Sequence, residues 1–455
     1  MKDLKLIEGI DISDKKEDLI CYSYDASYAE GIIPELVAWP KSTEEISKII
    51  RWAANRGLKI VPRGAGTGMA GGAIPIKQKS LVVSLEKMRE VYEINRKNFT
   101  TTVDPGVING ELQRELQIHG LFFPPDPASL EYCTIGGNVS TNAGGPRAIK
   151  YGVTRNYVYE LEVVLSNGST VKLGGVTAKR VVGYELKELL IGAEGTLGVI
   201  SKITLKVLPE PEEIITLLLK FNDLAKAGEC IPKILSKGIT PRTLEFLDST
   251  CLRIIEDNSE VGLPTNVEAM LLVELDGEIT SIKRQAEMIV DITRKLKGET
   301  QVASDYYSRE ALWKARRSIS PCILKMKDKK KINIDIAVPI DKLSKILLSL
   351  KEISEINQIP IVSFGHGGDG NIHVNILVTK DDEESQKKGF EIVTQVFQLT
   401  VELGGSISGE HGIGVTKKPY IEMQLSRKSL ELMKAVKKVF DPKEIMNPGK
   451  IFPSE

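Results

Sequence analysis

Apolar residues recur along this chain with two different periods, and the places where the period changes mark its elements. Leu36-Val37-Ala38-Trp39 is a short apolar run stopped by Pro40, which predicts a strand. Beyond it, Ile46, Ile49, Ile50 and Ala53 fall on one face of a helix. Ser42 or Thr43 caps that helix, Glu44 and Glu45 suit its N-terminal dipole, and Gly57 ends it. Leu58-Lys59-Ile60-Val61 and Leu81-Val82-Val83-Ser84-Leu85 read as the next strands. The runs Leu161–Leu165 and Thr170–Leu173 flank Asn167-Gly168, a hairpin signal. A strand from Val199 to Val207 ends at Pro209-Glu210-Pro211, a predicted domain border. Over 212–420, helical stretches (Ile282–Leu296, Leu343–Ile356) alternate with strands (Met270–Leu275, Ile332–Val338, His373–Leu377), which predicts an α+β second domain. A last helix near Ser429–Val439 precedes Asp441-Pro442 and Asn447-Pro448-Gly449-Lys450.

Composition narrows the function classes. The chain has 455 residues and 42% apolar content, enough for two or three cores. Basic and acidic residues number 61 each, so the net charge is zero and the one-signed field of a nucleic-acid binder is missing. The basic run Lys325-Met326-Lys327-Asp328-Lys329-Lys330-Lys331 reads as a solvated loop. Cys21, Cys133, Cys230, Cys251 and Cys322 are scattered with no C-x-x-C pair. That pattern predicts a reducing compartment and argues against an iron–sulfur cluster or a cysteine zinc site. Met1-Lys2-Asp3-Leu4-Lys5 opens polar sequence without a signal-peptide core, and no apolar run approaches the ~18 residues of a spanning helix. The expected location is the cytoplasm, with peripheral membrane association left open.

The first chemistry lies in glycine. Pro62-Arg63-Gly64-Ala65-Gly66-Thr67-Gly68-Met69-Ala70-Gly71-Gly72 follows a strand directly, so its backbone can approach a ligand and offer N–H groups to a pyrophosphate. Gly66–Gly71 formally matches G-x-G-x-x-G. The Rossmann reading fails, because the short, Pro75-containing stretch before the next strand cannot hold a crossover helix. Two more small-residue blocks follow. One is Pro124-Pro125-Asp126-Pro127 with Ile135–Gly145; the other is Gly192-Ala193-Glu194-Gly195-Thr196-Leu197-Gly198-Val199-Ile200. Three such blocks suit one long ligand, a dinucleotide. The bland alternative is a set of flexible loops.

The second chemistry lies in histidine, of which the chain has only four. His119 stands beside Gly120 and reads as a surface residue at a helix end. His366 and His373 flank a glycine turn between two strands and would face each other across it. Glu410 offers a third ligand, so the set suits a catalytic Zn²⁺, with Mn²⁺ or Fe²⁺ also feasible. Asp369 is a candidate partner behind the ligands. His411, next to Glu410, is the candidate general base. Arg316 and Arg317 are candidate carboxylate anchors, only one of which can face a pocket.

Together these motifs resemble the flavoprotein family of D-lactate dehydrogenases, glycolate oxidase D subunits and D-2-hydroxyglutarate dehydrogenases, within the vanillyl-alcohol-oxidase/PCMH superfamily. The resemblance runs from about Tyr24 to Phe452. It implies an α+β fold: a two-subdomain PCMH-type FAD-binding domain at 1–211, an α+β substrate-binding cap of the FAD-linked oxidase C-terminal type at 212–420, and a tail at 421–455 returning to the flavin. It implies FAD contacts at Pro62, Arg63, Gly64, Ala65, Gly66, Thr67, Gly68, Pro125, Asp126, Thr134, Gly137, Asn138, Thr141, Gly144, Glu194, Gly198, Ile200 and Asn447. No histidine stands in the first loop, so the FAD is expected to be non-covalent. By the same likeness His366, His373 and Glu410 are metal ligands, His411 the catalytic base, and Arg316, Ser320 and Asn375 substrate contacts. Members acting on 2-hydroxyglutarate carry a lysine just before the strand aspartate equivalent to Asp335; here that position is Asn333. The departure favours D-lactate or glycolate, oxidised by hydride transfer to flavin with electrons passed on to a cytochrome, a quinone, an electron-transfer flavoprotein or an iron–sulfur subunit. A homodimer is compatible with this. The alternatives are a D-2-hydroxyglutarate dehydrogenase, another FAD-linked oxidase of the same fold, or a metal-binding scaffold. The expectation requires the small-residue turns of the first half and the imidazoles of the second to meet around one flavin ring.

Overall fold

The computed structural model describes residue 7 and residues 9–259, 262–303 and 305–453. Met1–Lys5, read above for a signal core, lies outside them. The chain forms two compact units: Met1–Gly144 with Gly152–Glu210 and Glu410–Glu455, and Gly145–Tyr151 with Pro211–Gly409.

The first unit contains a four-stranded sheet in the order Asp11–Ser13, Leu36–Trp39, Ser80–Ser84, Lys59–Arg63. Lys59–Arg63 and Ser80–Ser84 pair in parallel, yet no helix lies between them. The crossover is the glycine loop itself, as the short spacing requires. A five-stranded antiparallel sheet follows, in the order Val91–Asn95, Thr100–Val103, Val199–Lys206, Val158–Val164, Thr170–Gly174. Its last pair is the hairpin at Asn167-Gly168, where Gly168 takes φ +78°.

The helix Thr43–Asn55 joins the two sheets. Ser42 Oγ accepts from the Glu45 N–H and caps it. Its stripe Ile46, Ile49, Ile50 and Ala53 is buried with Ile60, Leu81 and Val83 of one sheet and Val164 and Val199 of the other. Burying each of the isoleucines stabilises the unit by about 1.5–3 kcal/mol. Ile445 and Met446 share this core. The Ile60 N–H donates to the Ile445 carbonyl and the Asn447 N–H to the Ile60 carbonyl, both at 2.7 Å, so the tail covers the edge strand that carries the glycine loop.

The second unit is built on a seven-stranded antiparallel sheet. Its order is Glu299–Val302, Glu213–Phe221, Ala269–Gly277, Thr243–Asp248, Ile361–His366, Asn371–Thr379, Lys329–Ala337. The helices Ser249–Ser259 and Tyr306–Leu324 pack on one face, with Cys251, Ile255, Trp313 and Ile319 buried against Leu218, Leu247, Leu272 and Phe364. Ile279–Lys295 and Glu383–Glu402 pack on the other, beside Phe221 and beside Ile332 and Val378. One expectation is corrected here. Lys329, Lys330 and Lys331 are strand residues, not solvated loop, and Lys331 is half-buried. Three lysines carry little strand preference of their own, but pairing with Leu377, Val378 and Thr379 overrides it.

Candidate active site

Within the first unit, the glycine loop, the helix Ile135–Thr141 and the Glu194 turn enclose a cavity of about 220 Å³. Residues 62–68, Thr134, Gly137, Asn138, Thr141, Glu194, Gly198 and Ile200 line it. Gly66 and Gly71 hold φ of +70° and +76°, conformations that only glycine adopts cheaply. A Cβ at Gly64 would fall 2.3 Å from Thr134 Oγ1, so the loop also needs glycine to lie against the capped end of that helix. Thr134 Oγ1 accepts from the Gly137 N–H at 3.1 Å. Asn138 Nδ2 is buried and has no hydrogen-bond partner among the described residues, which suits a donor reserved for a ligand. This narrow, backbone-rich, N–H-lined cavity fits the pyrophosphate and ring of a flavin dinucleotide.

Several expected cofactor contacts serve the cavity indirectly. Arg63 lines it, but its guanidinium donates to the Ala73 and Cys21 carbonyls and stacks 5.5 Å from the Tyr22 ring, which fixes the loop's shape. Asn447 takes φ +41° and donates to the Gly72 and Glu194 carbonyls at 2.8 and 2.7 Å, pinning two cavity turns together. Pro125, Asp126 and Gly144 are not among the cavity's lining residues. The Pro125 carbonyl accepts from Asn109, and Gly144 lies against the Glu410 carboxylate.

Glu194 connects the cavity to the second motif. Burial pushes its carboxyl pKa up, a rise that the N–H groups of Ile413 and Gly414 partly offset by donating to Oε1 at 2.8 and 3.2 Å. This clamp fixes the backbone just after His411. His411 and Glu410 line the same cavity as the pyrophosphate loop.

In the second unit, strand register assembles the other groups. Residues paired across strands stand side by side on one face. Glu245 pairs with His366, Phe364 with His373, His373 with Asp335, and Asn375 with Asn333. The imidazoles of His366 and His373 lie 5.2 Å apart, edge to face. Arg316 reaches this face from the helix above and stacks 4.8 Å from the centre of the Phe364 ring. Glu410 is one peptide bond beyond Gly409, whose N–H donates to Asp335 Oδ2 at 2.8 Å. The two imidazoles would supply two ligands, and Glu410, the next residue in sequence, is the candidate third. Two imidazoles and one carboxylate fit a catalytic divalent ion.

Glu245 is the residue that sequence reasoning missed. It is fully buried; Oε1 lies 2.7 Å from His366 Nδ1, and Oε2 accepts from Arg316 Nε and Nη2 at 2.7 and 2.6 Å. Burial would raise its pKa, but His366 and Arg316 more than offset that and hold the carboxyl below its usual value. Glu245 thus backs His366 directly, while Asp369 accepts from the Asn371 N–H inside the turn. Arg316 spends Nε and Nη2 on Glu245, while Arg317 is exposed and paired with Glu310. Ser320 Oγ accepts from Lys331, and Asn375 Oδ1 accepts from Asn333. His119 ends the helix Asn109–Ile118.

The fold and the cavity suit a protein that binds a flavin dinucleotide. Two family models match: "FAD binding domain" over residues 34–174 and "FAD linked oxidases, C-terminal domain" over residues 210–451. The chain belongs to the FAD-linked oxidase family. It is 40% identical over 440 residues to the glycolate oxidase subunit GlcD of Bacillus subtilis (strain 168), covering 96% of this chain and 93% of that protein. It is 34% identical over 434 residues to a D-lactate dehydrogenase of Anaerostipes hadrus, covering 92% and 89%. Among solved structures, p-cresol methylhydroxylase with substrate bound shares the fold, with a TM-score of 0.81 at 15% identity over 97% of this chain and 93% of that one. No helix among the described residues is long and apolar enough to cross a membrane.

Proposed function

We propose that this FAD-linked oxidase converts a D-2-hydroxy acid to its 2-oxo acid. The observation that carries the reading is that Glu410 and His411 line the cavity formed by the glycine loop. The names of the two relatives, one a glycolate oxidase subunit and one a D-lactate dehydrogenase, support the substrate class.

The roles follow from the chemistry of each group. The guanidinium of Arg316 binds the substrate carboxylate, and Glu245 fixes its plane. A divalent ion held by His366, His373 and Glu410, Zn²⁺ first with Mn²⁺ or Fe²⁺ as alternatives, would polarise the hydroxyl. Glu245 on Nδ1 of His366 leaves Nε2 to ligate. His411 takes the hydroxyl proton, its backbone fixed by the Glu194 clamp. FAD, when bound, supplies the acceptor for the α-hydrogen and its two electrons. We propose non-covalent binding, because the Arg63–Gly68 loop carries no histidine. The electrons then leave to an external acceptor; the GlcD relative's own name describes it as a subunit.

Anaerobic mixing with D-lactate or glycolate tests the reading. The flavin absorbance should bleach with about one oxo acid formed per flavin. His411→Ala should keep its FAD yet reduce it ~10²-fold or more slowly in stopped flow. An undiminished rate in that variant removes His411 as the base, and a flavin that no 2-hydroxy acid reduces overturns the function.

A further inference from the structure

One wall of the turn between His366 and His373 comes from a distant stretch of chain. Gly145–Tyr151 belongs to the second unit, although the residues on either side of it belong to the first. Its last four residues, Ala148–Tyr151, form a single helical turn. A Cβ on Gly368 would overlap Ile149 Cδ1, so Ile149 lies against the backbone of the histidine turn. The turn's other supports come from the sheet itself. The Gly368 N–H donates to the Leu244 carbonyl, and the Gly370 carbonyl accepts from the Val338 N–H, both at 3.0 Å.

The residues next to Ile149 hold it there. Tyr151 OH donates to Asp276 Oδ2 at 2.7 Å, and Lys150 Nζ donates to Oδ1 and, at 2.8 Å, to the Asp276 carbonyl. Arg242 Nη1 also donates to Oδ2, at 3.3 Å. The Asp276 side chain is fully buried, so its charge is answered by these three groups. Burial first, and then the Asp276 carboxylate, raises the Tyr151 pKa and keeps the phenol a donor. A one-turn helix has no stability of its own, so this grip is what keeps Ile149 in place. A glycine-rich turn is equally soft, whereas a ligand side chain must be held to within about 0.5 Å.

We propose that Asp276, Lys150 and Tyr151 are positioning residues for the histidine pair: their grip presses Ile149 onto Gly368 and fixes the turn from which His366 and His373 offer their rings. Strand pairing sets the two ends of that turn, and Glu245 orients the His366 ring. Ile149 restrains the backbone between them. The proposal rests on the ligand role given above to the two histidines.

The test uses the full-length, FAD-loaded protein and two variants, Ile149→Ala and Tyr151→Phe, that leave every buried charge in place. Each is loaded with zinc, which is then withdrawn by a graded chelator. Ile149→Ala should release its zinc at a chelator concentration about tenfold lower than the unmodified protein. Tyr151→Phe should shift release in the same direction by less, and Ile149→Leu, which refills the space, should restore retention. Zinc retention unchanged in Ile149→Ala overturns the proposal. Hydrogen–deuterium exchange supplies a readout that needs no metal. The backbone amides of residues 367–371 should exchange at least about tenfold faster in Ile149→Ala, while those of the helix Thr43–Asn55 keep their rate. Equal acceleration in both regions would mark Ile149 as ordinary packing and sink the proposal, as would an unchanged rate at 367–371. If the unmodified protein binds no zinc, the metal reading fails by itself, and faster exchange confined to 367–371 still supports the grip.

Discussion

Glu245 holds both halves of the expected substrate site, the ligand His366 and the anchor Arg316, with one buried carboxylate. Glu245→Gln keeps the shape but removes the charge that orients both partners. Metal affinity should fall about 10–100-fold, read as metal retained against a graded chelator. Glu245→Ala leaves Arg316 buried without its counter-charge and should cost about 3–5 kcal/mol in denaturant unfolding. Unchanged metal retention in both variants would show that His366 needs no carboxylate behind it. This residue was illegible in the sequence for a physical reason. Thr243–Asp248 reads as an apolar strand with an acid in it, and only the register against a strand 121 residues away places that acid on His366. The histidine cluster stood out because three of the chain's four histidines fall close together beside glycine-rich turns. Arg316 and Ser320 were named as contacts, but their protein partners are cross-element facts that no local spacing encodes.

Elements were legible wherever one face is apolar and the ends are punctuated. The helix Thr43–Asn55 shows its stripe, its serine cap and its terminal glycine in sequence order. The helix Tyr306–Leu324 runs on past Pro321, where proline ordinarily signals a break, because Ile319 and Ile323 on either side are buried in the core against the sheet. Asp248 secures a junction of that kind, between the strand Thr243–Asp248 and the helix after it. Its carboxylate accepts from the Cys251 N–H at 2.7 Å and the Ser363 N–H at 2.6 Å, and burial pushes its pKa up to about 7. The folded-state value lies above that of the unfolded chain, ~3.9. The folded state therefore holds more protons between those limits, and the stability Asp248 contributes is complete below pH ~4 and lost as pH rises through 7. Asp248→Asn should flatten that slope. Denaturant midpoints measured from pH 4 to 8 should fall more steeply with pH in the unmodified protein than in the variant, and parallel curves would place the titrating group elsewhere.

On the scale of the whole molecule, the first unit is assembled from three separated stretches of chain, and its cofactor cavity depends on the last of them. A contiguous reading of the sequence divides the chain at Pro211 and treats everything before it as the FAD domain. Residues 1–210 alone, however, lack the Ile445–Asn447 segment that pairs with the edge strand Lys59–Arg63. They also lack the Asn447 amide that ties Gly72 to Glu194, and the Val415 N–H that donates to the Ala70 carbonyl of the glycine loop. Most costly, Glu194 loses the Ile413 and Gly414 N–H groups. A buried acceptor left unmade costs about 1–3 kcal/mol, and more when it carries charge. The fragment 1–210 should therefore purify with little FAD, and co-expression with 410–455 should restore it, read as the ratio of flavin to protein absorbance after gel filtration. A 1–210 fragment that keeps its full complement of FAD unaided would show that the glycine loop, not the returning tail, is sufficient to shape the cavity.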